Sequence, residues 1–133
     1  MTTNPRARIL IVEDSAPIRM LLHHLLCKRF EVQLANSVDS ALQRAGSEHF
    51  DLFLLDINLG EDRTGVDLLG LLREMPGYRA TPAVACTAYA GPRYREKFLA
   101  NGFNEYVDKP FSRPILLSAI EEALESACLW GRA

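Results

Sequence analysis

The sequence of 133 residues holds three cysteines, Cys27, Cys86 and Cys128, with no CxxC pair among them and each inside an apolar stretch. That spacing argues against a cysteine-built metal site and favours buried, reduced thiols. Excess charge is also lacking. Fifteen Lys and Arg stand against 17 Asp and Glu, a formal net charge of -2. The basic residues are scattered, so a broad nucleic-acid-binding face and a membrane-binding patch both go unsupported. The first eight residues contain no apolar core of a secretory signal, and no later apolar run is long enough to cross a bilayer. These absences predict a cytoplasmic protein without direct nucleic-acid or membrane contact. There is no internal repeat, no low-complexity tract and no linker. A Gly-rich phosphate loop after the first apolar run is missing as well, which argues against a nucleotide or flavin binder.

What is present is alternation. At 48% hydrophobic and 24% charged residues, the chain has the composition of one ordinary globular domain. Arg8 to Val12 is a short β-branched run suited to a strand buried on both faces. Ser15 is placed as an N-cap with Pro17 in the first turn, and Ile18, Leu21, Leu22, Leu25 and Leu26 follow helical spacing. Glu31 to Ala35 reads as a strand. Ser37 opens a helix with Val38, Ala41, Leu42 and Ala45 inward. Asp51 to Leu55 is the most hydrophobic strand candidate and is expected at the centre of a sheet. Gly65 to Arg73 is predicted helical and stopped by Pro76-Gly77, Pro82 to Cys86 a strand, Arg93 to Ala100 a helix ended by Asn101-Gly102, and Glu105 to Val107 a strand. From Ser112 a last helix carries Leu116, Ala119, Ile120, Ala123 and Leu124 inward and is expected to end near Ala127. Five strands alternating with five helices predict an α/β fold, a doubly wound five-stranded parallel sheet with helices on both faces. Residues 1–7 are expected to be a flexible N-terminus, 8–128 the folded domain and 129–133 a tail that includes the single Trp, Trp130.

In such sheets the functional site lies beyond the carboxyl ends of the strands. Glu13-Asp14, Asp56, Thr87 and Lys109 stand there, at successive strand ends. Converging carboxylates repel unless a cation neutralises them, and Mg²⁺ suits a site with few protein ligands and several waters. Lys109 adds a fixed positive charge and Thr87 a hydroxyl, so the set is suited to cradle a phosphoryl group, with Asp56 as its nucleophile. Taken singly, each residue has an ordinary structural reading as cap, strand residue or surface charge; the joint placement carries the argument. His23 and His24 fall opposite the apolar stripe of the first helix and read as a solvated pair, and His49 gives no functional signal.

The segments ILIVED (Ile9 to Asp14), LLDIN (Leu54 to Asn58), CTAYA (Cys86 to Ala90) and YVDKPF (Tyr106 to Phe111), in this order and spacing, resemble the bacterial response-regulator receiver family from Arg8 to about Ala127. The resemblance implies a flavodoxin-like (βα)5 receiver fold. It implies a phosphoacceptor in a two-component phosphorelay, phosphorylated on Asp56 by a histidine kinase or histidine phosphotransfer protein in a reaction that needs Mg²⁺ or Mn²⁺. It implies that Asp14, Asp56 and the Asn58 backbone carbonyl ligate the metal while Glu13 acts through water. Thr87 and Lys109 would contact the phosphoryl group and Tyr106 would be the aromatic that changes position. The Lys109-Pro110 bond would be cis. Signalling would then run by conformational change and contact with a downstream protein target, the domain catalysing its own phosphorylation and dephosphorylation.

Three departures from the family pattern stand out. The loop Leu59 to Thr64 (LGEDRT) is about one residue longer than usual, Glu13 replaces the more frequent Asp, and Ile57 follows the acceptor. A phosphohydrolase of the haloacid-dehalogenase kind shares the Asp, Thr, Lys and Mg²⁺ set. Its second acid would fall at Asn58, which cannot transfer a proton. A degenerate receiver that only docks is opposed by the complete set. With the last helix ending near Ala127, no room is expected for an output domain, which leaves a stand-alone receiver and a piece of a hybrid kinase as alternatives.

Overall fold

In the computed structural model residues 6–88 and 92–131 are described, with side chains in the last helix as far as residue 126. Strands β1 (Arg8–Val12), β2 (Glu31–Ala35), β3 (Leu52–Asp56), β4 (Ala83–Thr87) and β5 (Glu105–Asp108) alternate with helices α1 (Ala16–Leu26), α2 (Val38–Ser47), α3 (Gly65–Glu74), α4 (Pro92–Ala100) and α5 (Arg113–Gly131). The strands form one parallel sheet in the order β2-β1-β3-β4-β5, with β3 at the centre. Parallel strands need crossovers, and the helices supply them, α1 and α5 on one face and α2, α3 and α4 on the other.

Strand alternation divides the core in two. Leu10, Val12, Phe53, Leu55, Ala83 and Ala85 point toward Val38 and Ala41 of α2, Leu68, Leu69 and Leu72 of α3, and Phe98 of α4. Ile9, Ile11, Leu52, Leu54, Val84, Cys86 and Val107 point the other way, toward Leu22 and Leu26 of α1 and Leu116, Ile120 and Ala123 of α5. The period of two that sends successive side chains to opposite faces thus makes β1, β3 and β4 apolar throughout. The helices start where the sequence says they can. Ser15 accepts from the Ile18 N–H, and Ser37 and Thr64 each form a reciprocal capping box with the residue three positions on.

Some expectations are corrected. Leu21 is 46% exposed rather than inward, and with Met20 at 63% it leaves an apolar strip of α1 facing solvent. The inward stripe of an eleven-residue helix against a twisted sheet is narrower than its apolar spacing suggested. Cys27 is only partly buried, whereas Cys86 is buried; both are free thiols. His49, which carried no functional signal in the sequence, has a structural contact, stacking on Tyr78 with ring centroids 5.8 Å apart. Helix α5 runs to Gly131, past the expected end near Ala127, because no helix-breaking residue intervenes before that glycine. The side chains of Cys128 and Trp130 lie outside the described residues. Helix α4 is held lightly. Of its residues 93–100, only Phe98 is buried, packed on Phe103 and Tyr106.

Candidate functional site

Register places the strand ends side by side. Val12 lies beside Leu55, Asp56 beside Cys86 and Thr87 beside Asp108. Glu13, Asp14, Asp56, Asn58, Thr87 and Lys109 therefore line one open hollow of about 320 Å³, with Ser15, Ile18 and Ala88. Glu13, Asp56 and Thr87 are buried while Asp14 is exposed. Lys109 Nζ lies 2.8 Å from Glu13 Oε1 and 3.3 Å from Asp56 Oδ2. The Lys109 N–H donates to the Thr87 carbonyl at 2.8 Å, which ties its backbone to the end of β4, and the Lys109-Pro110 peptide is cis.

One oxygen each of Glu13, Asp14 and Asp56 come within 4.8 Å of one another. The electrostatic cost shows in their titration. Burial and the neighbouring Glu13 charge push the Asp56 carboxyl up to about 7, although Lys109 opposes them. Burial acts upward on Glu13 as well, but hydrogen bonds from Lys109 and from the Ser15 N–H outweigh it and hold Glu13 below the usual carboxylate range. Asp14 is raised by partial burial and by Glu13. Lys109 is raised: burial works against its charge, and its two carboxylate partners more than restore it. Three carboxylates against one ammonium leave the hollow short of positive charge, and its donors are all oxygens. A hard divalent cation such as Mg²⁺ or Mn²⁺ fits that set. Both oxygens of Glu13 are already engaged, one by Lys109 and the other by the Ser15 N–H at 3.1 Å. Asp14 and Asp56 are the carboxylates better placed to meet an ion directly.

Tyr106 stands outside the hollow, on the α4 side of the sheet. It is partly buried, its ring 5.8 Å from that of Phe98 and its hydroxyl donating to the Asp108 carboxylate. His23 and His24 lie on α1 and do not line the hollow.

Several supporting residues escape a reading of the sequence. Arg19 Nη1 donates to the carbonyls of Glu13 and Asp14, at 2.8 and 3.0 Å, and so fixes the backbone of the acidic loop. Gly65 packs against the backbone of Asp56, where a Cβ would come within 2.3 Å of the Asp56 carbonyl oxygen. Gly60 has φ +71°, and a Cβ there would lie 2.9 Å from Asp14 Oδ2. A glycine opening a helix and a glycine in a polar loop are commonplace in sequence, and only the close approaches in space distinguish these two.

Comparisons with known proteins agree with the geometry. A sequence model of the response regulator receiver domain matches residues 9–121. The chain is 36% identical over 109 residues to the transcriptional activator protein PfeR of Pseudomonas aeruginosa, an overlap of 81% of this chain and 34% of PfeR. It is 34% identical over 103 residues to the signal transduction histidine-protein kinase BarA of Shigella flexneri, covering 77% of this chain and 11% of BarA. The chain thus spans about a third of the one and about a ninth of the other. Among solved structures, the chemotaxis response regulator CheY4 of Vibrio cholerae superposes with a TM-score of 0.82 at 28% identity, over 89% of this chain and 98% of CheY4.

Proposed function

The chain belongs to the response regulator receiver domain family of two-component systems, and from that premise we propose that Asp56 is its phosphoacceptor, charged by a histidine kinase or a histidine phosphotransfer protein. The observation that carries the reading is the placement of Lys109 Nζ between Glu13 and Asp56, with Asp14 alongside, at the open end of the central strand. In the transfer, an Asp56 oxygen forms a bond to phosphorus as the bond from phosphorus to the donor's imidazole nitrogen breaks, and the imidazole keeps the electron pair. Hydrolysis later returns the carboxylate, with water as the acceptor.

Each residue has a part in this. Asp56 must be ionised to attack, and Lys109, 3.3 Å away, favours the ionised form and then meets the charge on the phosphoryl oxygens. Thr87, at the end of β4, offers its hydroxyl to one of them. Glu13 holds Lys109 in place. Asp14, Asp56 and the Asn58 carbonyl would hold the divalent cation, with Glu13 acting through water. The cation supplies positive charge for the carboxylates and the transferring oxygens. Readout would run through Thr87 and Tyr106 to a downstream protein target. Reduced Cys27 and Cys86 suit a cytoplasmic setting. No helix of the described residues is long and apolar enough to cross a membrane.

Incubation with acetyl phosphate and Mg²⁺ is expected to add one phosphoryl group by intact mass, in wild type and not in Asp56→Asn or with EDTA present. Labelling of Asp56→Asn at the wild-type level would refute the assignment.

A further inference from the structure

The long loop after β3 is fastened to a different helix from the one it leads into. Leu59 is buried in the core beneath α2 and α3. Glu61 Oε2 accepts from the Val38 N–H, the first residue of α2, at 3.1 Å. Arg63 Nη2 lies 3.0 Å from Asp39 Oδ1, in the same first turn, and 3.4 Å from Glu61 Oε1. Thr64 then caps α3. The intervening Gly60 is turned back by its own N–H, which donates to Asn58 Oδ1 at 3.1 Å, and it passes so near Asp14 that a Cβ on it would lie 2.9 Å from Oδ2. The loop carrying Asn58 is thus anchored at both ends and passes beside Asp14 in its middle. Ser37 already serves the Ser40 N–H, so Glu61 satisfies a second of the free N–H groups at the start of α2, with a charge of the sign that end favours.

We propose that Glu61, through its bond to the start of α2, and Arg63, through Asp39, are positioning residues that hold the Asn58-Gly60 turn against Asp14 and so set the affinity of the site for a divalent cation. This rests on the proposed metal role of Asp14 and Asp56. Neither residue lines the hollow, so both act through the backbone they hold. Outer partners of metal ligands change affinity by about 10–100-fold when removed, and the lower end is expected for residues acting through a turn.

Mn²⁺ titration calorimetry on the full chain tests it, with Asp14→Ala as the reference for loss of the site and amide NMR of Val38 and Gly60 as a report on the loop. Glu61→Ala is expected to shift the Val38 and Gly60 amides and to weaken Mn²⁺ by about tenfold. Glu61→Gln, whose amide oxygen still accepts from Val38, should stay within about threefold of wild type on the same scale. If Gln and Ala weaken binding equally, loss of charge alone explains the effect and the proposal falls. It falls too if Glu61→Ala moves the Val38 amide yet binds Mn²⁺ as wild type does. Should Glu61→Ala not fold, Arg63→Met carries the test: a several-fold weakening supports the proposal and unchanged affinity overturns it. If Asp14→Ala binds as wild type does, the metal reading itself fails, a result distinct from the others.

Discussion

Two glycines in one helix separate packing from propensity. Gly65 opens α3 with its Cα against the Asp56 carbonyl, so an added methyl must displace the backbone that carries the phosphoacceptor. Gly70, one and a half turns on, is exposed and has nothing within 4 Å of where its Cβ would stand. Gly65→Ala is expected to lower stability by about 1–3 kcal/mol, the usual cost of overpacking a close contact. Gly70→Ala is expected to raise it by about 0.5–1 kcal/mol, since helical glycine gives up that much to alanine. Urea denaturation of both variants reads the two signs directly, and equal shifts in one direction would contradict this account of Gly65. The same scale shows where sequence stops being informative. The residue types at Glu13, Asp14, Asp56, Thr87 and Lys109 were legible because each follows a recognisable strand. The roles of Arg19, Gly60, Glu61 and Gly65 were not, because each depends on a contact with backbone or a close approach in space that leaves no compositional trace.

Among the elements, β4 and β5 carry the expected readout. Ala85 lies beside Tyr106 in register, and Thr87, two residues on, shares its face of the sheet. A phosphoryl oxygen on Asp56 would draw the Thr87 hydroxyl toward the strand ends and away from the small Ala85 side chain. Tyr106, now stacked on Phe98 with its hydroxyl on Asp108, would turn into the space behind. With beryllofluoride and Mg²⁺ bound, a crystal structure is expected to show Thr87 shifted toward Asp56 and Tyr106 rotated away from Asp108. An unmoved Thr87 and the same Tyr106 rotamer in both states would defeat the switch and leave the phosphoacceptor chemistry standing. The elements themselves were legible in order and type, with ends off by a residue or so except at the end of α5, which runs four residues further, because buried parallel strands and capped amphipathic helices write different periods. Burial within an element was read less well. Leu21 continued the apolar spacing of α1, yet which side of a short helix meets the sheet is decided by the packing of α5 and β2, not by α1 alone.

For the whole molecule, the acidic cluster sets a pH dependence. The Asp56 carboxyl titrates at about 7 when folded and near 3.9 when unfolded. Between those values the folded state holds the extra proton, so stability of the metal-free protein falls as pH rises from about 4 to about 7, by a few kcal/mol in order of magnitude. Glu13, held low, is ionised in both states over most of that window and contributes little slope there. A divalent cation binds the deprotonated cluster and restores the loss by linkage. The gap in unfolding temperature between Mg²⁺ and EDTA is therefore expected to widen from pH 5 to pH 8, and the EDTA slope to flatten in Asp56→Asn. Parallel slopes for the two proteins would show that Asp56 is not the group responsible.

The light anchoring of α4 has a consequence for timing. With Phe98 its one buried side chain among residues 93–100, detaching this helix exposes little apolar surface, whereas freeing β1 or β3 means dismantling both cores. Segments held so unequally open on their own, at a small fraction of the free energy of global unfolding. Release of the helix beside Tyr106 is therefore expected far more often than global unfolding, and the proposed readout would act on a segment that costs little to set free.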